Sequence, residues 1–404
     1  MSLGLFPTMK GDMAMKRIHH TLANTFILAL STLLAFAFFE TLANIYLLYF
    51  SGERRFIRYA SFQQLKKREL LNKPKYTPHR YVGYYPTPNY TKGKNRHNSL
   101  GYRGDEIKIP KPKGQFRIVC LGGSTIYTAF VEDYQMSFPY LLEKYLKGKG
   151  FQNVNVINAG ASGWSSWESL INFELRVLDL EPDMIIVYHG INDIHLRFVW
   201  PPNAYRGDNS GSRGPNQLGI VMPSILEYST IFRVFMINMG TTTSHASFER
   251  TINRSPETFY CNLFREQILE GVYPEGIFKE VSAEAMLKAN KPVLLVRNIR
   301  NIIAIARAHE IDIVLSSFAY SPLFTDQPRI SAREYIAAYR EHNNLLKDLA
   351  RETDVNFFDF SSKFPTDKDY YVDGRHVNEE GSQLKAEYFG NYLIENELVI
   401  FSND

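Results

Sequence analysis

Cysteine is nearly absent from this chain. Two thiols in 404 residues, Cys120 and Cys261, exclude a disulfide framework and a four-thiolate zinc site. They leave at most one bridge, between residues whose usual habit is burial. A strong charge of either sign is lacking as well: 46 Lys plus Arg stand against 42 Asp plus Glu, and a formal net charge of +4 leaves no footprint for nucleic acid. No H-E-x-x-H, paired C-x-x-C, G-x-G-x-x-G or lysine-bearing P-loop occurs, so neither a metal nor a cofactor is expected. Internal repeats are missing. With 45% apolar and 22% charged residues, 25 Gly and 19 Pro, the composition is that of an ordinary folded protein, which excludes wholesale disorder and a multi-span membrane protein. At about 150 residues per domain, there is room for two to three domains or one domain with large insertions.

Long apolar runs are lacking too, with one exception. From Leu22 to Phe50 the only charge is Glu40, and the stretch Leu22 to Phe39 has none. As a helix that charge-free stretch spans about 27 Å, close to a hydrocarbon core of about 30 Å. The expectation is a single transmembrane anchor over 22–50, behind an N-terminal tail over 1–21. A cleavable signal peptide is the rival, because Ala35-Phe36-Ala37 resembles a cleavage site, but the apolar residues continue well past it. Lys10, Lys16 and Arg17 before the run are matched by Arg54, Arg55 and Arg58 after it, and Lys66, Lys67 and Arg68 tip the balance toward a cytoplasmic body. Charge alone does not fix the side.

Residues 51–114 are basic, tyrosine-rich and punctuated by proline, with no sustained period, and read as a linker wrapping onto the domain of 115–404. Strand and helix then alternate. Strands are expected at Arg117–Leu121, Val154–Asn158, Met184–Tyr188, Ile311–Ser316 and Val355–Phe358. Helices are expected at Ser137–Lys149, Ser165–Asp179, Val293–His309, Ala332–Glu352 and Glu379–Glu397. Short apolar strands separated by helices imply an α/β doubly wound fold, a parallel sheet covered on both faces. An interval at about 198–291 breaks the alternation after strand three. It is too long for a plain loop and reads as a partly helical insertion, a lid over the site or a packing appendage.

Four turns follow predicted strands or precede the last helix. Leu121-Gly122-Gly123-Ser124-Thr125 puts a hydroxyl just beyond strand one, Ala161-Ser162-Gly163 offers a flexible backbone N–H, Ile191-Asn192-Asp193 delivers an amide, and Asp373-Gly374-Arg375-His376 pairs a carboxylate with an imidazole. Each alone has a bland reading as a cap or a surface pair. Together they supply what ester hydrolysis by a serine needs: a hydroxyl, a base held in the right tautomer, and donors for the developing oxyanion.

These four motifs, in this order, resemble the blocks of the SGNH, or GDSL-like, hydrolase family, over roughly Phe116 to Asp193 and Asn290 to Leu393. The resemblance implies a flavodoxin-like five-stranded parallel sheet. It implies Ser124 as nucleophile, His376 as base and Asp373 as the residue orienting it, with an oxyanion hole from the N–H groups of Ser124 and Gly163 and the side chain of Asn192. One departure is Gly123, where many members carry Asp, and this leaves the geometry of the first turn open. The tract Asn98-Ser99-Leu100-Gly101-Tyr102-Arg103 is similar to the segment preceding the first block in membrane-anchored bacterial members, with Arg103 read as structural. His189 and His195 are expected to be structural. Trp164 and Trp167 suit sugar stacking and core packing equally.

The function expected from this resemblance is a membrane-anchored serine esterase acting on an acyl-ester substrate, with an acylated carbohydrate or cell-envelope glycan favoured and an extracytoplasmic, periplasmic catalytic domain. A glycan O-acyltransferase using the same residues, a lipase or thioesterase for longer chains, and an idle envelope scaffold are the rivals. Oligomeric state and protein partners do not follow from the chain.

Overall fold

The computed structural model describes residues 9–61, 64–65, 75–79, 81–200, 202–205, 228–242, 281–324 and 330–399. Two compact units result, one formed by Met1–Leu71 with Leu218–Phe248, the other by Asn72–Gln217 with Glu249–Asp404.

The larger unit begins with two antiparallel hairpins, β1 (Tyr76–His79) with β2 (Gly83–Pro86) and β3 (Thr91–Lys92) with β4 (Asn95–Arg96). Paired strands therefore lie inside the stretch read as a linker without period. Strands this short carry too few alternations for a period to show in sequence. Tyr76, Val82 and Tyr84 bury themselves against Ala161 and Trp164, and the Tyr76 hydroxyl meets Ser162 Oγ at 2.8 Å.

The central sheet follows: β5 (Phe116–Gly122), β6 (Val154–Asn158), β7 (Met184–Tyr188), β8 (Asp312–Ser316) and β9 (Asn356–Phe358), in the order β6-β5-β7-β8-β9 and parallel throughout. Counted within the sheet this is the flavodoxin-like order 2-1-3-4-5, with the switch point beside the first strand. The alternation of β5 explains the two layers. Ile118 and Cys120 face a core with Phe138, Leu142 and Phe389, while Val119 and Leu121 face one with Ile299, Ile302 and Leu346. Every residue of β7 is buried, as expected of a central parallel strand.

The regular helix expected over Ser165–Asp179 stops at Asn172 and continues as a π-turn over Phe173–Val177 and a 3₁₀ turn over Leu178–Leu180. The irregular turns keep Phe173, Val177 and Leu180 in the core. Of the interval 198–291, the larger unit retains a helix at Ala283–Ala289 and the smaller one a helix at Thr230–Asn238. Much of that interval, Cys261 included, lies outside the described residues.

In the smaller unit a helix over Met9–Ile45 runs through a π-turn at Tyr46–Phe50 to a short helix, Glu53–Tyr59. The segment His19–Phe50 is long and apolar enough to cross a membrane, and a signal sequence shares that character.

Candidate active site

β5 ends at Gly122, and after Gly123 the chain turns into the one-turn helix Ser124–Tyr127. A side chain at Gly123 has no room: a Cβ there would lie 2.5 Å from Asn192 Nδ2 and 2.8 Å from the Trp164 carbonyl oxygen. In this chain the amide of Asn192 and the Trp164 carbonyl lie against the face of Gly123. Arg103 secures the far end of the turn, donating to the carbonyls of Tyr127 at 2.6 Å, Thr128 at 2.9 Å and Val131 at 2.7 Å. It is buried and structural, as read from sequence.

Ser124 is 1% exposed, and its Oγ lies 2.7 Å from His376 Nε2. On the other side of the ring, His376 Nδ1 lies 2.9 and 2.8 Å from the two carboxylate oxygens of Asp373. With Nδ1 protonated toward the carboxylate, Nε2 is left to accept the Ser124 proton. Asp373 Oδ1 also accepts the backbone N–H groups of Arg375 at 3.2 Å and His376 at 2.9 Å, which fixes the carboxylate to its own turn. Burial pushes the Asp373 carboxyl up, but the hydrogen bond and charge of His376, the charge of Arg375 and the backbone donor together hold it well below the usual carboxylate range.

The remaining candidates sit on the neighbouring turns. Asn192 belongs to the short helix Ile191–His195 directly after β7, and its Nδ2 donates to the Trp164 carbonyl at 2.9 Å. An amide nitrogen carries two hydrogens, so one is committed and one remains for a ligand. Gly163 follows β6 with φ +78°, a conformation that favours glycine, and its successor Trp164 closes the turn by donating to Ala161 at 3.1 Å. The fold thus links Ser124, His376 and Asp373 in one hydrogen-bond series, sets Asn192 against Gly123, and places Gly163 in the turn that also holds the Asn192 partner.

Sequence reading left the roles of several neighbours unassigned. The ring of Phe130 lies 4.7 Å from that of His376, yet the side chain is 49% exposed, so it forms an apolar surface beside the base. No sequence signal marks it. Asp193 is buried beneath Asn192 and accepts from Ser166 N at 3.1 Å and Ser166 Oγ at 2.5 Å, while Asn298 Nδ2 donates to Ser166 Oγ at 3.0 Å. These bonds fix the short helix that carries Asn192. Lys385 is buried behind the Ser124 turn with Nζ 3.6 Å from the centroid of the Tyr188 ring, a cation–π contact, and burial pulls its pKa down to about 7.

The two histidines read as structural lie in packing roles. His189 Nε2 meets Ser169 Oγ at 2.9 Å, and His195 Nε2 meets the Tyr335 hydroxyl at 3.1 Å. Trp164 is buried, with Nε1 donating to the Tyr84 carbonyl at 3.2 Å, so its ring is not a sugar platform; Trp167 is half-buried. Cys120 is fully buried, and burial pushes its thiol up to about 12.

A hydroxyl, an imidazole and a carboxylate in series at the carboxyl edge of a 2-1-3-4-5 parallel sheet define an α/β enzyme of the ester-hydrolase class. The chain belongs to the GDSL-like lipase/acylhydrolase family, whose model matches residues 120–384. Among solved structures it is similar to a GDSL-like lipase from Bacteroides thetaiotaomicron, with 13% identity, 72% of this chain and 93% of that one covered, and a TM-score of 0.40. A GDSL-like lipase from Parabacteroides merdae matches at 13% identity, 73% and 100% coverage and a TM-score of 0.41. An acetyl xylan esterase matches at 12% identity, 69% and 100% coverage and a TM-score of 0.38. No curated protein matches the sequence.

Proposed function

We propose that this esterase-type hydrolase works through Ser124 as nucleophile, His376 as general base and acid, and Asp373 as the carboxylate that orients the imidazole. The observation that carries this reading is the Ser124 Oγ to His376 Nε2 contact of 2.7 Å, continued to Asp373 at 2.8 Å. Ser124 Oγ attacks the acyl carbonyl carbon, and its proton passes to His376 Nε2. The tetrahedral oxyanion is received by the N–H groups of Ser124 and Gly163 and by the uncommitted Asn192 Nδ2 hydrogen. Collapse expels the alcohol, which takes the proton from His376. Water then adds to the acyl-enzyme, its proton again going to His376, and the second collapse returns the proton to Ser124 Oγ and releases the acid.

The ester is placed on a carbohydrate or cell-envelope glycan, on the extracytoplasmic side of a membrane to which the segment Leu22–Phe50 anchors the enzyme. The resemblance to anchored bacterial members motivates this assignment. Full-length protein is expected to release acetate from an acetylated envelope glycan, with Ser124→Ala inactive. Undiminished release by Ser124→Ala contradicts the nucleophile, and turnover confined to long-chain nitrophenyl esters contradicts the glycan.

A further inference from the structure

Glu40 is the one charge in the apolar run, and its carboxylate is fully engaged. It accepts from Ser229 Oγ at 2.8 Å, from Ile231 N at 3.2 Å and from Thr230 N, all at the start of the helix Thr230–Asn238. A carboxylate there satisfies donors that the first helical turn leaves without partners and complements the positive end of the helix dipole. One turn earlier on the anchor, the ring of Phe36 meets that of Phe232 at 5.8 Å.

The rest of this helix is arranged contrary to an ordinary surface helix. Its charged residue points inward: Arg233 is 1% exposed and donates to the Tyr59 carbonyl at 3.1 Å, Gln64 Oε1 at 3.2 Å and Thr230 Oγ1 at 2.9 Å. Asn238 Oδ1 accepts from the Tyr59 hydroxyl at 2.7 Å. Its largest apolar residues point outward, Phe232 and Phe235 at 46% and 56% exposure, followed by Met239 at 63% just beyond its last turn. A helix exposed to water places these the other way round. The outward face belongs to the same unit as the exposed Leu42, Ile45, Tyr49 and Phe50 of the anchor.

Depth agrees with this arrangement. If the hydrocarbon core begins near Leu22, Glu40 stands about 27 Å further along the helix, at the opposite edge of a core of about 30 Å. The helix it caps then begins in the interface, where Tyr46, Tyr49 and Tyr228 suit the amphipathic belt and a polar side chain turned to protein is tolerated.

We infer that the helix Thr230–Asn238, part of the segment inserted after strand three, is a second lipid-facing element: Glu40 docks it on the anchor, and Phe232, Phe235 and Met239 seat it in a phospholipid bilayer. The inference rests on the anchor reading, and the test separates the two. Full-length protein carrying Cys261→Ser, its Cys120 being buried, takes a bimane label at Phe235→Cys, or in a second variant at Phe232→Cys. Parallel labels go to Leu30→Cys on the anchor and Lys149→Cys on the other unit. All are reconstituted in phosphatidylcholine and phosphatidylglycerol vesicles. Doxyl-labelled lipid is expected to quench the 235 and 232 labels by about half, as for a helix buried 5–10 Å in the interface, while the Lys149 label responds to iodide alone. Glu40→Leu should return the 235 label toward the Lys149 response and leave Leu30 unchanged. Iodide quenching at 235, or shielding from both quenchers as by a second protein copy, overturns the inference when Leu30 still reports lipid. Lipid quenching that persists in Glu40→Leu overturns the docking role of Glu40. A Leu30 label outside lipid overturns the anchor reading and the inference with it.

Discussion

Two Ser-His-Asp sets among the described residues lie near the carboxyl edge of the same sheet, and the chemistry is proposed for the first alone. In the first, Ser124 Oγ, His376 and Asp373 are joined at 2.7 and 2.8 Å. In the second, Ser169 Oγ meets His189 Nε2 at 2.9 Å, and His189 Nδ1 lies 3.5 Å from Asp193 Oδ2. The residue types are the same. What differs is the position of each hydroxyl and the other commitments of each carboxylate. Ser124 stands on a turn after a strand, with Gly123 allowing the Asn192 amide to come close. Ser169 lies inside the helix Ser166–Asn172, and Asp193 is already spent on Ser166. A hydroxyl beside an imidazole becomes a nucleophile only where a carbonyl fits against it and donors await its oxygen.

The largest expected effect separates the two serines. Ser124→Ala should lower kcat for ester hydrolysis by about 10⁴- to 10⁶-fold, while Ser169→Ala should leave kcat nearly unchanged and show itself in thermal unfolding. Equal losses in both variants would break the contrast. The carboxylates come next. Asp373→Asn should reduce kcat by about 10⁴-fold by favouring the wrong imidazole tautomer. Asp193→Asn should cost chiefly stability, about 1–3 kcal/mol from buried partners left unsatisfied, read from denaturant unfolding. Asn192→Ala follows, with about 10²- to 10³-fold lost in kcat and little change in KM, measured by steady-state kinetics. Gly123→Ala should produce a smaller loss of the same kind, because its Cβ would displace the Asn192 amide.

The effect furthest from catalysis concerns two further histidines, His97 and His342. Burial, reinforced for His342 by the charge of Arg197 and for His97 by Lys75 and Arg103, pulls each pKa down to about 3. Their folded values lie below the unfolded value of about 6.5, so the stability they confer is complete above that pH and is lost as pH falls toward 3. The melting temperature should therefore fall on acidification from pH 7 to 4, and His342→Asn should flatten that dependence. An unchanged slope would place the acid sensitivity elsewhere.

Much of this was legible because strands and turns announce themselves locally. Met184–Tyr188 is an unbroken apolar run and matches β7 residue for residue, and Ser124 and Asn192 sit in the helical turns that follow strand ends, where backbone geometry restricts the choice. What stayed hidden depends on contacts distant in sequence. Arg103 caps a turn more than twenty residues away, Phe130 gains meaning only beside His376, and Asp193 only through its bonds to Ser166. The hairpins of residues 76–96 are too short to show a period, and nothing near Glu40 in sequence foretells Ser229 as its partner.

The most direct test of the contrast is to label full-length protein with a fluorophosphonate probe and map the modified peptide. The account predicts adduct on Ser124 and none on Ser169, with labelling lost in His376→Ala and kept in His189→Gln. Adduct on Ser169, or labelling of Ser124 that survives His376→Ala at the same rate, would contradict it.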